Sequence, residues 1–154
     1  MYEDCCAVLP HYYENGGNGS LIYRTDGSRK TDRRKVATVM DHLYDLDLIS
    51  LDRQMNLLRT YFGKKKFLPY VFNRKIIFIA MKTRDPIGKN DGAYGYIRID
   101  QIKELREDQL LLKCGMELPV KESLEVINRR IMDGKVAGLI VEQRHFVFKS
   151  PLST

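Results

Sequence analysis

The stretch Arg74–Ile102, RKIIFIAMKTRDPIGKNDGAYGYIRIDQI, decides how the chain is read. It opens with Ile76-Ile77-Phe78-Ile79-Ala80-Met81, six apolar residues in a row. A run this short, rich in β-branched and aromatic residues, predicts a strand buried on both faces. Thr83–Gly92 holds a proline, two glycines, an asparagine and two aspartates and is expected to be a loop. Tyr94–Ile99 then alternates, with Tyr94, Tyr96 and Arg98 on one face and Ile97 and Ile99 on the other. Lys82, Arg84 and Lys89 ride on the connection, so one stretch supplies both core and cationic projection.

Outward from this hairpin, short β segments dominate the beginning of the chain. Residues 5–9 (CCAVL) read as an opening strand, Pro10 and Glu14–Ser20 as a break, and Leu21-Ile22-Tyr23 as a second strand. Asp26-Gly27 signals a hairpin turn. Val36, Val39, Met40, Leu43 and Leu46 recur at helical spacing, with Thr31 or Asp32 as cap, although Leu46 and Leu48 alternate as in a short strand. Leu51, Met55, Leu58 and Phe62 mark one face of a further helix, capped by Ser50 and ended by Gly63.

Beyond the central hairpin, Gln101–Asp108 reads as a polar helical turn and Leu110–Leu112 as a strand. Cys114-Gly115 turns into Met116–Leu118, which Pro119 ends. Leu124, Ile127 and Ile131 predict a helix stopping at Gly134, and Phe146 and Phe148 suit a terminal strand or a linear motif. The expectation is an α+β fold: a mainly antiparallel sheet with two or three packed helices in a single domain, 1–134, followed by a tail, 135–154.

The chain has 154 residues and a net charge of +6, which favours a polyanionic partner. Cations gather at Arg24–Lys35 and again at Arg59–Lys75, where six basic residues and no acid are interleaved with Tyr61, Phe62, Phe67, Tyr70 and Phe72. Cations neutralise phosphates and rings can stack on bases, but aromatic residues more often build the core. Arg129-Arg130 reads chiefly as a solvated helix surface. Three cysteines without CxxC spacing, and no signal peptide or membrane-length apolar run, suggest a reduced cytoplasmic protein. His11, His42 and His145 have no ligand spacing, and no phosphate loop, dinucleotide fingerprint or GxSxG motif occurs. Neither enzyme chemistry, a metal nor a cofactor is nominated.

The order of features resembles the competence transcription factor (ComK) family. Tyr61-Phe62-Gly63 ends an amphipathic segment and a basic stretch follows; then come Ile77-Phe78-Ile79, Asp85-Pro86, Tyr96-Ile97 through Ile102, and Gly115 with Met116-Glu117-Leu118-Pro119 before a helix. The likeness covers roughly residues 5–133, with the 36–48 region looking inserted. The resemblance implies a DNA-binding transcriptional activator of competence genes. It would act as a dimer or higher homo-oligomer on A/T-rich boxes through minor-groove and phosphate contacts. Lys64, Lys65, Lys66, Arg74, Lys82, Arg84 and Arg98 are the contact residues expected. It also implies recognition by a Clp-protease adaptor through a Phe-rich, Pro-ended motif, here Phe146, Phe148 and Pro151. The alternatives are a protein-interaction module that has lost DNA binding, or an RNA-binding module.

Overall fold

A computed structural model describes residues 2–14, 17–46, 51–64, 66–86 and 92–149. The expected Ser50 cap, Leu48, Lys65, Lys89 and Pro151 lie outside the described residues. The chain forms an α+β fold, with strands β1 (Cys5–Tyr12), β2 (Asn18–Arg24) and β3 (Arg29–Asp32) before helices α1 (Val36–Leu46) and α2 (Leu51–Phe62). There follow β4 (Tyr70–Val71), β5 (Ile77–Lys82), β6 (Tyr94–Arg98), β7 (Ile102–Leu105), β8 (Gln109–Leu112), β9 (Glu117–Pro119) and α3 (Leu124–Lys149).

Six strands make one antiparallel sheet in the order β3-β2-β1-β6-β5-β4, and β7-β8-β9 make a second, three-stranded sheet. β5 is the apolar run Ile77–Lys82, paired with β6 from Phe78↔Arg98 to Lys82↔Tyr94. Ile76 through Met81 are all buried, as a strand covered on both faces requires. One face of the large sheet meets α1 and α2 through Val8, Val39, Met40, Leu58 and Phe78. The other meets the small sheet and the first half of α3 through Ala7, Met81, Ile97, Leu110, Leu118 and Ile127. β5 and β6 thus lie between two layers, one from the helices that precede them and the other from the small sheet and helix that follow.

The Asp26-Gly27 turn forms as expected: Gly27 adopts φ +87°, Arg24 N–H donates to Ser28 O at 2.8 Å, and Asp26 accepts from the Ser28 N–H. Gly63, at φ +68°, terminates α2, its N–H donating to Arg59 O.

Several expectations change. β1 runs through Pro10, which lies opposite Ser20 of β2 and beyond the last β1–β6 pair, Val8↔Tyr96. The helix forms over Val36–Leu46, the short strand expected at 46–48 reaches outside the described residues, and neither Thr31 nor Asp32 caps the helix, because both belong to β3. Asp32 instead accepts from the Arg34 N–H at 2.9 Å. Ile102–Leu105, expected as a helical turn, is a strand preceded by a 3-10 turn at Ile99–Gln101.

The largest difference is at Gly134. It does not end α3, which runs 26 residues to Lys149, so the boundary drawn at 134/135 falls inside a helix and no terminal strand forms at Phe146–Phe148. The physical reason is packing. A Cβ at Gly134 would stand 2.8 Å from Ile99 Cδ1 and 2.9 Å from Ile79 Cγ2, and one at Gly138 would stand 2.8 Å from Ile77 Cδ1. Both glycines let the helix axis approach the sheet; neither acts as a C-cap. Among the described residues no helix is long and apolar enough to cross a membrane.

Candidate nucleic-acid interface

Strand direction determines where the cations go. β1, β3 and β5 run one way and β2, β4 and β6 the other, because every pairing in the large sheet is antiparallel. The ends of β3 and β5 and the start of β4 therefore lie at the same end of the sheet. Three cationic segments far apart in sequence emerge there: Arg33-Arg34-Lys35 after β3, Lys64 and Lys66 before β4, and Lys82 and Arg84 at and beyond the end of β5. Arg33, Lys35 and Lys66 are exposed. Tyr12, Tyr13, Phe67 and Tyr94 sit at this end too, with the Arg33 guanidinium 5.9 Å from the Tyr13 ring centroid.

The loop bearing Lys64 and Lys66 is held from beneath. Phe67 adopts φ 60°, an uncommon conformation for a non-glycine residue and strained by about 1 kcal/mol. Its ring lies 4.2 Å from that of Tyr94, and the Arg130 guanidinium lies 4.7 Å from Phe67 and 5.3 Å from Tyr94. Arg130 in turn donates to Glu122 Oε1 at 2.5 Å and to Ala80 O at 3.2 Å, both charged side chains being about nine-tenths buried. Glu122 also accepts from the Lys82 N–H at 2.7 Å and from the Tyr94 hydroxyl at 3.3 Å. One buried ion pair thereby joins the basic loop, the end of β5, the start of β6 and α3. From the sequence Arg130 reads as helix surface, and nothing marks Glu122. The residues stand eight apart, and no local pattern announces that a loop will close over them.

The expected contact residues separate into groups. Lys64, Lys66, Lys82 and Arg84 come together at the cationic end. Lys64 also pairs with Asp133 at 3.3 Å and lies 5.9 Å from the Phe62 ring centroid. Arg84 is stacked 3.7 Å from the Tyr12 ring centroid and donates to Gly92 O and Asn18 Oδ1, so it also ties the β5–β6 connection to β2. Arg74 lies at the opposite end, before β5, and pairs with Glu142 at 3.5 Å.

Arg98 is a correction. It is 8% exposed, makes a two-point ion pair with Asp100 at 2.6 and 2.9 Å, and donates to Glu3 O at 2.8 Å. A guanidinium so enclosed serves the fold, and a phosphate cannot reach it without displacing these partners. Phe146 and Phe148 fall within α3 rather than in an extended segment.

Charge at the cationic end is tuned by Asp32. Arg34 donates to both its oxygens, at 3.0 and 2.8 Å, and these hydrogen bonds lower the Asp32 carboxyl to about 2. Elsewhere, a cleft of about 290 Å³ lies between the helices and the sheet, lined by Asp41, Asp52, Met55, Arg59, Leu68, Tyr70 and Tyr96. The Tyr70 hydroxyl donates to Asp41 Oδ1 at 3.4 Å. Burial raises the phenols of Tyr70 and Tyr96, the latter to about 12, so both stay protonated. Among the described residues no three His, Cys, Asp or Glu side chains are grouped as a metal site.

Comparison with protein-family models, curated proteins and solved structures finds no match.

Proposed function

We propose that this chain binds double-stranded DNA with the cationic end of its large sheet and acts in the cytoplasm as a transcription regulator of the competence type. The observation that supports this is that Arg33–Lys35, Lys64 and Lys66, and Lys82 and Arg84 all lie at the same end of the sheet. Loops anchored to a rigid sheet can present Lys and Arg to phosphates without a helix entering a groove. A narrow A-tract minor groove concentrates negative potential and attracts such side chains, which suits an A/T-rich target. The Phe67–Tyr94–Arg130 stack supports the reading further, because it fixes the loop before DNA arrives and lowers the ordering cost of binding. Homo-oligomerisation on paired boxes belongs to the same proposal.

The test is a salt titration on an A/T-box duplex and a GC-rich duplex of equal length. The wild-type chain should bind the A/T duplex more tightly, with a steep salt dependence. Replacing Lys64, Lys66 and Lys82 by Gln should reduce the slope of log K against log salt by roughly 0.9 for each phosphate that is no longer neutralised. An unchanged slope removes this end of the sheet from the interface. Equal affinity for both duplexes removes the A/T-reading regulator and leaves a general polyanion binder.

A protein-interaction module is the second reading, and one observation favours it. Met132 and Leu139, seven residues apart on α3, are 62% and 52% exposed. Residues at this spacing share one helix stripe. Absence of binding to either duplex near physiological salt would favour this reading over DNA.

A further inference from the structure

Two thiols widely separated in sequence meet in the core between the sheets. Cys6 Sγ lies 4.0 Å from Cys114 Sγ, across 108 residues of chain. The β1–β2 register slips between Cys5 and Ala7, and this bulge leaves Cys6 and Ala7 both packed toward the small sheet. Cys5, one residue earlier, packs on the opposite side against α1 and α2. Cys6 is fully buried, and its thiol also lies 3.4 Å from Tyr23 O. Cys114 is half-buried in the turn joining β8 to β9, beside Gly115 at φ +92°. One partner is therefore fixed in a strand, while the other stands at the surface on a turn.

We propose that Cys6 and Cys114 form an oxidisable dithiol site, which a hydroperoxide converts to an intramolecular disulfide. The Cys114 thiolate attacks the peroxide, the O–O bond breaks, and an alcohol or water leaves, giving a sulfenic acid. Cys6 Sγ then attacks the Cys114 sulfur, the S–O bond breaks, and water departs with the proton Cys6 gives up. Two thiols are oxidised by two electrons in all, and one hydroperoxide is reduced. The exposures assign the order: peroxide reaches Cys114 and not Cys6. Burial raises the Cys6 thiol and keeps it protonated, which disfavours Cys6 as the first nucleophile. The sulfurs must close from 4.0 Å to about 2 Å, and the turn around Cys114 can move without disturbing the strand that holds Cys6.

Cys5 is a control built into the chain, being adjacent and buried but facing away. The full chain is treated with a small excess of hydrogen peroxide, quenched, denatured, alkylated and mapped by mass spectrometry without reduction. The expected result is a monomer with a Cys6–Cys114 linked peptide and one alkylated cysteine, Cys5. Because the crosslink closes a long loop, the oxidised chain should melt higher by roughly 5 °C or more, and a reductant should reverse the shift. Cys114→Ser, at a half-exposed turn, should keep the fold and lose the crosslink, whereas Cys5→Ser should retain it. The proposal is overturned by three alkylatable thiols after oxidation, by a Cys5–Cys114 link, or by a crosslink between chains.

Discussion

The two ends of the large sheet carry the same kinds of residue and use them differently. At one end Arg98 is enclosed, with its donors given to Asp100 and the Glu3 carbonyl. At the other, Arg33, Lys35 and Lys66 stay exposed, and the burial falls on Arg130, which lies beneath the loop. Each end has one buried arginine that organises backbone. The cationic end has in addition a set of cations that this arginine leaves at the surface. Charge counted in a sequence is therefore not charge presented to a partner; what matters is which guanidinium has already found its carboxylate inside the fold.

The largest effect expected is at Arg130. Arg130→Ala leaves Glu122 buried without its partner, removes the donor to Ala80 O and takes the cation from the Phe67 and Tyr94 rings. Breaking a buried pair from one side costs about 3 kcal/mol or more. Urea denaturation should show this as a lower midpoint at unchanged slope. DNA affinity should fall with it, since the loop carrying Lys64 and Lys66 loses its support. Full stability in this variant would mean that the ion pair does not hold the cationic end together.

Arg98→Ala sharpens the contrast. Asp100 is 37% exposed and can recover water, so the loss should be smaller than at Arg130, about 2 kcal/mol. At a temperature where the variant is folded, the salt dependence of DNA binding should match wild type. A reduced slope would return Arg98 to the interface and erase the difference between the two ends.

Where structure is local, it was legible in the sequence. Ile76–Met81 reads as a buried strand because six apolar residues leave no polar face. Asp26-Gly27 reads as a turn because the left-handed position needs glycine, and Leu58 and Phe62 read as one helix face ended by Gly63. Where a residue's role is set by a distant neighbour, the sequence misled. Gly134 resembles a helix stop and is in fact a close-approach site for Ile79 and Ile99, which no local pattern reveals. Arg98 shares its strand face with Tyr94 and Tyr96 and looks presentable until the Glu3 carbonyl arrives from the beginning of the chain. That Arg33–Lys35, Lys64 and Lys66, and Lys82 and Arg84 share one end of the sheet depends on strand order, and strand order is a long-range property.

Asp32 provides the finest test, because it touches charge at the cationic end with little effect on the fold. Its carboxyl is lowered from 3.8 to about 2, chiefly by the hydrogen bonds from Arg34. A carboxyl lowered in the folded state contributes stability that is present above its unfolded value, near 3.8, and is lost as pH falls toward 2. Arg34 is 44% exposed, so solvent screening limits the contribution to under about 1 kcal/mol. Arg34→Ala should move the Asp32 titration, followed by carboxyl NMR, back toward 3.8 and flatten the acid limb of stability between about pH 4 and 2. At neutral pH it also leaves Asp32 ionised without its partner among Arg33 and Lys35, so DNA binding should weaken slightly through the reduced positive charge. An Asp32 that still titrates near 2 in this variant would mean that the backbone N–H of residue 34 and the surrounding cations, rather than the paired guanidinium, hold its carboxyl down.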